Sequence, residues 1–113
     1  MKVEILLVKS ECTRDFGFLS LEDNIKYNEK IFLKNYKQAF IMEYSEREVT
    51  TSFLEGIYSL FQNSNDTPSD YNKRSISMGD IVKVDNILYY VDMIGFTKLN
   101  NSIIGWFYSK DSI

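Results

Sequence analysis

Along residues 75–96, "SISMGDIVKVDNILYYVDMIGF", apolar and polar positions alternate on either side of Asp85-Asn86. Two β-rich runs flanking two residues that tolerate positive φ predict a hairpin. In that register Val84 faces Ile87 and Val82 faces Tyr89, all on one side of the ribbon. The other side carries Ile81, Lys83, Leu88 and Tyr90 and reads as half-wet, which makes Lys83 and Tyr90 candidate contact residues. Val3 to Val8 is a short apolar run of the kind that forms a buried strand, followed by a polar loop, "KSECTRD". "YKQAFIMEY", 36–44, has strand character through Ala39 and Ile41, with Tyr36 and Phe40 contributing. After Gly95 come "FTKL", an Asn100-Asn101 turn and "IIGWFYS", which predicts one more strand.

The period changes in "TSFLEGIYSLF", 51–61. Phe53, Leu54, Ile57, Tyr58 and Phe61 repeat at the spacing of one apolar helix face. Ser52 and Glu55 stand at capping-box spacing. Gly56 costs about 1 kcal/mol against alanine inside a helix, and a close approach of the helix to a sheet would account for it. A shorter helix is expected from Ser20, with Glu22 and Asp23 favourably placed in its first turn. The polar stretch 62–75 holds the one proline. Neither flank is long enough for a comfortable domain of its own, so the stretch is expected to be a loop within one domain. The pattern therefore predicts a single α+β domain over residues 1–113. Its sheet is mostly antiparallel, built from the N-terminal strand, the 36–44 strand and the C-terminal strands, with one or two helices packed on one face.

Composition sharpens this picture in a few places. The chain is 44% hydrophobic and 26% charged, a globular balance. Aromatic residues make up 15%, mostly Tyr and Phe; flat rings that fill a small core account for them, and an exposed aromatic contact surface is the alternative. A net charge of −3 and a pI near 4.9 argue against a nucleic-acid binder and permit a basic partner. A lone cysteine, Cys12, cannot close an internal disulfide and fits a reducing compartment. The N-terminus superficially resembles a signal peptide, but Glu4 breaks the apolar run and no small-residue cleavage site follows. No run approaches the ~18–20 apolar residues of a membrane span, so a soluble cytosolic protein is expected.

Chemistry is constrained mainly by what is missing. The sequence contains no histidine, which removes Ser-His-Asp, Cys-His and histidine–zinc systems. The five glycines are scattered singly and form no phosphate loop. No cofactor or metal is expected. Asp15, Asp70, Asp80 and Asp92 remain as acid/base or magnesium candidates, although aspartates beside turns more often serve as caps. Glu43, Glu46, Glu48 and Glu55 read as a solvated acidic surface or, together with Lys83 and Tyr90, as contacts for a partner with a basic groove. Lys73-Arg74 is too short for a nucleic-acid patch, and Cys12 reads as a passive thiol.

The order of several pieces resembles the YodL-like domain family. They are Thr13-Arg14-Asp15-Phe16-Gly17-Phe18, Leu54-Glu55 with Ile57-Tyr58, Pro68 with Asp70-Tyr71, Ser75-Ile76-Ser77 with Gly79-Asp80, and Val91-Asp92 with Gly95-Phe96. The resemblance runs from about Met1 to Leu99, leaving residues 100–113 as an extension. It implies an origin on phages, plasmids or conjugative elements, which carry small acidic proteins that blunt host defences. Inhibitors of the type II CRISPR nuclease are among them, and that nuclease holds nucleic acid in positively charged channels. The resemblance thus points to a non-enzymatic protein that inhibits a host defence nuclease by protein–protein contact. An accessory or assembly domain binding an element-encoded partner is the alternative. A carboxylate-dependent hydrolase would require Asp70, Asp80 and Asp92 to converge. Read from their own chemistry, Thr13-Arg14-Asp15 is expected as a salt-bridged loop over Phe16 and Phe18. Ser77-x-Gly79-Asp80 and Asp92 with Gly95 are expected as the turns entering and leaving the hairpin region.

Overall fold

A computed structural model describes residues 1–105 of the chain. In chain order the elements are β1 (Lys2–Val8), α1 (Thr13–Phe16), α2 (Leu21–Asn28), β2 (Ile31–Phe32), β3 (Tyr36–Glu43), α3 (Thr51–Leu60), β4 (Ile81–Val84), β5 (Ile87–Val91), β6 (Phe96–Lys98) and β7 (Ile104–Gly105). Five strands form one sheet in the order β3-β1-β4-β5-β6, with every neighbouring pair antiparallel. β2 and β7 form a small parallel pair. The predicted α+β class and mostly antiparallel sheet are therefore present. The remainder of the last predicted strand, 106–109, lies outside the described residues.

The hairpin has the predicted register, with Val84 opposite Ile87 and Val82 opposite Tyr89. Asp85 supplies the left-handed φ of +54° that the two-residue turn demands. α3 covers one face of the sheet as expected. Leu54, Ile57 and Phe61 pack with Val3, Ile5, Leu7, Val82, Val84 and Val91. Aromatic rings knit the residue 62–75 loop to this layer: Tyr71 lies 4.7 Å from Phe61 and 5.9 Å from Phe40, ring centre to ring centre. That contact makes the loop part of the domain.

The second face departs from expectation. It is a second buried layer, not a half-wet surface: Ile81, Leu88 and Tyr90 pack with Val8, Ile31, Tyr36 and Ile104. α2 contributes Leu21 and Ile25, and the β2–β7 pair closes the layer. Central strands buried on both faces read as near-continuous apolar runs, as "ILYYV" does, and "VEILLV" apart from Glu4. Tyr90, expected as a contact residue, is fully buried. Its hydroxyl donates to the Leu19 carbonyl at 2.8 Å and accepts from Asn24 at 3.1 Å. Burial pushes that hydroxyl up to about 12 despite the opposing Asn24 bond. Only one end of this face stays polar, where cross-strand partners Glu4 and Lys83 approach to 3.6 Å.

Three local expectations are also corrected. The "KSECTRD" stretch is a 3-10 turn, Ser10–Cys12, running into α1. Arg14 and Asp15 form no ion pair with each other there. The α3 cap is Thr50, whose side chain accepts from Phe53 N at 3.0 Å, so Ser52 and Glu55 do not form a capping box. Three consecutive hydroxyl residues can all cap; the helix starts where its apolar face meets the sheet. Gly56 gives no close approach, since an added methyl group would meet nothing within 4 Å.

Before β4 the chain makes the expected tight turn, and its centre is the buried carboxylate of Asp80. Asp80 accepts from Val8 N at 2.9 Å and Ser77 N at 2.8 Å, and from both terminal nitrogens of Arg74 at 2.7 and 2.8 Å. Asp80→Ala takes the acceptor from two backbone donors, Val8 N and Ser77 N, and the carboxylate partner from the exposed Arg74 guanidinium, which keeps its bonds to Ser75 O and Ser77 Oγ. It is expected to cost about 2–4 kcal/mol, from two N–H groups left without a partner at roughly 1–3 kcal/mol each, measured as a lowered urea midpoint with an unchanged m-value. Gly56→Ala should stabilise by about 0.5–1 kcal/mol, because solvent-facing helix interiors favour alanine by that amount; thermal unfolding reads the shift.

Candidate functional site

The turn between β5 and β6 is short, Asp92-Met93-Ile94-Gly95, and it is unusual in carrying two large apolar residues at its tip. Met93 is 70% exposed and Ile94 is 90% exposed. Gly95 takes a φ of +72°, and Asp92 N donates to the Gly95 carbonyl at 3.0 Å to close the turn. Isolated exposed apolar residues need no explanation. Two adjacent ones on a closed turn beside a cleft form a small exposed apolar patch.

The tip is held by Asp92. Its Oδ1 accepts from Met93 N at 2.9 Å and from Leu21 N, the first residue of α2, at 3.0 Å. Its Oδ2 accepts from the Thr97 hydroxyl at 2.8 Å. One carboxylate thus fixes the turn, ties it to β6 and satisfies an orphan N–H at a helix start. Burial works to raise the Asp92 carboxyl, and these three donors outweigh it, holding the group below its ordinary carboxylate value.

Beside the tip lies a cleft of about 510 Å³ between α3 and the β5–β6 turn. Tyr58 and Phe96 form its apolar wall, with ring centres 6.5 Å apart, and Met93 lines one edge. Glu55 and Asp92 are its charged lining residues, and no cation joins them. The surface is therefore apolar with an acidic rim.

The expected contact residues are distributed unevenly around it. Glu55 is exposed and lines the cleft. Glu46 and Glu48 lie in a separate, shallower cleft at the start of α3, where Arg47 sits between them and offsets part of their charge. Glu43 is exposed at the end of β3. Lys83 is half-buried against Glu4, and Tyr90 is in the core. The three carboxylates of the hydrolase alternative have separate surroundings. Asp80 is turned into Val8, Ser77 and Arg74, Asp92 into Leu21, Met93 and Thr97, and Asp70 is exposed in the residue 62–75 loop. Among the described residues no group of three acidic or cysteine side chains stands in an arrangement that could hold a metal. Met93 and Ile94 escaped prediction because Asp92 and Gly95 were read as turn formers only. The signal was present: a turn between strands whose central pair is apolar.

A family model for the YodL-like domain matches residues 2–101. The chain belongs to that family. Comparisons with curated proteins and with solved structures give no match. Four of the five segments that carry the resemblance have a visible role in this YodL-like domain. The Ser77–Asp80 and Asp92–Gly95 segments are its two aspartate-held turns, Tyr71 is the ring that anchors the long loop, and Leu54 and Ile57 are the buried face of α3. No helix among the described residues is long and apolar enough to cross a membrane.

Removing the Asp92 carboxylate should loosen the tip and weaken the fold together. Asp92→Ala is expected to cost about 1–3 kcal/mol, typical for bonds to a charged acceptor. Because the folded state lowers this carboxyl's pKa, its contribution is fully present above the unfolded value, ~3.9. It fades as pH falls through the lower folded value. The difference between urea titrations of wild type and Asp92→Asn should be full near pH 6–7 and shrink progressively as pH falls below about 4.

Proposed function

We propose that this YodL-like domain is a non-enzymatic interaction protein of a mobile genetic element, acting in the cytoplasm of its bacterial host. Its action is to inhibit a host defence nuclease, of the type II CRISPR kind, through protein–protein contact. The Met93-Ile94 tip beside the Glu55–Tyr58–Phe96 cleft is the observation that carries the contact reading. A folded chain holds two large apolar residues in water there on a braced turn, and apolar anchors presented rigidly lose little freedom when a partner covers them. The acidic rim selects for a basic partner surface, and nucleases that hold nucleic acid in positively charged channels offer one. The mobile-element setting rests on the family resemblance.

Affinity capture from the host tests the proposal, with wild type and a Met93→Ser/Ile94→Ser double variant run at low and high salt. Wild type should retain a nuclease complex and reduce its cleavage of target DNA. The double variant should bind at least ~30-fold more weakly, as expected for loss of about 2 kcal/mol at an interface hot spot, with an unchanged circular dichroism spectrum. Glu55→Lys should mainly slow association and reduce salt sensitivity. Capture of an element-encoded partner without a nuclease selects the assembly-domain alternative. Binding that is indifferent to Met93 and Ile94 rejects the surface named above.

A further inference from the structure

A second cleft, of about 370 Å³, lies where the end of β1, the start of β3 and the residue 62–75 loop meet. Its volume falls within the ~300–1,000 Å³ of small-molecule sites. Its charge is the reverse of the chain's. Lys9, Lys37, Lys73 and Arg74 line it, from three different segments, and no carboxylate is among the lining residues. Arg74 is balanced by Asp80. The three lysines form no ion pair with any described residue. The nearest other carboxylate bonded to a wall side chain is Glu11, 3.5 Å from the Ser10 hydroxyl. In a protein of net charge −3, three uncompensated cations around one apolar floor are a local reversal of field.

Phe18 supplies an independent observation. It was expected to pack beneath the Thr13–Asp15 segment, and instead it is 57% exposed at this cleft. Its backbone stands at φ +60°, a left-handed conformation that is unfavourable for an aromatic residue. Among the described residues, the other non-glycine residues at positive φ are Glu29, Asn63 and Asp85. Two of those are of the types that tolerate it, and Glu29 closes α2. Phe18 alone among them is a large ring, held strained and in water. The Arg74 guanidinium lies over that ring at 5.9 Å. Strain of this kind concentrates at functional positions. A strained, exposed ring beside an arginine plane is a stacking platform for a flat ring.

We propose that this cleft binds a mononucleotide, its base stacked on Phe18 and its phosphate drawn in by Lys9, Lys37 and Lys73. The cleft's size admits about one nucleotide, and the acidic surface elsewhere repels a longer polyanion, so a free nucleotide is the source favoured over a strand. The site is separate from the Met93-Ile94 surface and does not depend on the partner-binding reading.

Calorimetric titration with AMP, GMP, CMP and UMP tests it, alongside inorganic phosphate and a single-stranded oligothymidylate. At least one mononucleotide should bind saturably, more tightly than phosphate alone and more weakly as salt rises. Lys73→Glu should weaken binding about tenfold or more, and Phe18→Ala by roughly 5- to 100-fold, the usual effect of losing one stacked ring. Phe18→Gly separates function from fold. It relieves the positive φ, so the thermal midpoint should hold or rise while nucleotide affinity falls. Tighter binding of the oligonucleotide with the same variant sensitivity keeps the stacking site and assigns it to strand ends. No binding by any nucleotide, binding unaffected by Phe18→Gly, or a large fall in its thermal midpoint overturns the proposal.

Discussion

The fold turns on a single buried carboxylate. Asp80 stands just before β4, yet one of its oxygens accepts from Val8 at the far end of β1, and both meet Arg74 from the long loop. Three segments distant in sequence are thereby fixed to one point. A carboxylate so deep in the protein is tolerable only because each oxygen has at least two donors. Ser77 N and its hydroxyl complete the set on one side. Tyr36 extends the cluster: its hydroxyl donates to the Gly79 carbonyl at 2.6 Å, which ties the start of β3 to the same turn. Burial holds the Tyr36 hydroxyl well above its ordinary value, and the nearby Tyr90 and Asp80 add to the effect. The cluster therefore stays protonated at tyrosine and ionised at arginine over the whole range in which proteins are ordinarily handled. Gly79 follows from the same packing. Its φ of +99° strains any side chain, and the Phe18 N atom, 3.1 Å from an added Cβ, would have to give way as well.

Much of this is legible in the sequence. The hairpin register came from alternation about Asp85-Asn86, and α3 from its helical period, because in both cases local pattern and tertiary packing agree. Ser20 was a visible N-cap, and its side chain does accept from Asp23 N. The largest failure has a tertiary cause. The second face of the sheet was read as half-wet because Lys83 and Tyr90 carry polar atoms. Yet Lys83 answers Glu4 on the neighbouring strand, and Tyr90 reaches Leu19 and Asn24 across the layer. Which partner a polar atom will find is a tertiary fact, invisible in a strand's own alternation. The same limit applies to Phe18. A hydrophobic residue in a motif defaults to the core, and only the backbone angle reveals that this ring is held outward.

Two turns, each with an aspartate, flank the central hairpin. Asp80 fixes the turn that leads into it, and Asp92 the turn that leads out. Both work by accepting backbone N–H groups from other elements, which rigidifies what lies next to them. Beside the first lie Arg74, Lys73 and the basic cleft; on the second stand Met93 and Ile94 above the acidic one. Segregation of opposite fields to separate clefts keeps the two surfaces from neutralising each other, as they would if Lys73 and Glu55 were neighbours.

This arrangement separates the residues that hold the scaffold from the side chains exposed at its two clefts. Asp80, Asp92, Gly79 and Tyr71 act on backbone atoms or core rings, so their roles are indifferent to whatever the surface presents. Met93, Ile94 and Lys73 act through side chains that support nothing beneath them, since all three are exposed and none of their side chains donates or accepts a hydrogen bond with another described residue. A change at the first group alters whether the turns form at all. A change at the second alters only what the turns carry. The sheet, α2, α3 and the two aspartate-held turns hold both clefts in place, and the side chains exposed at them lie outside the packing that holds the fold together.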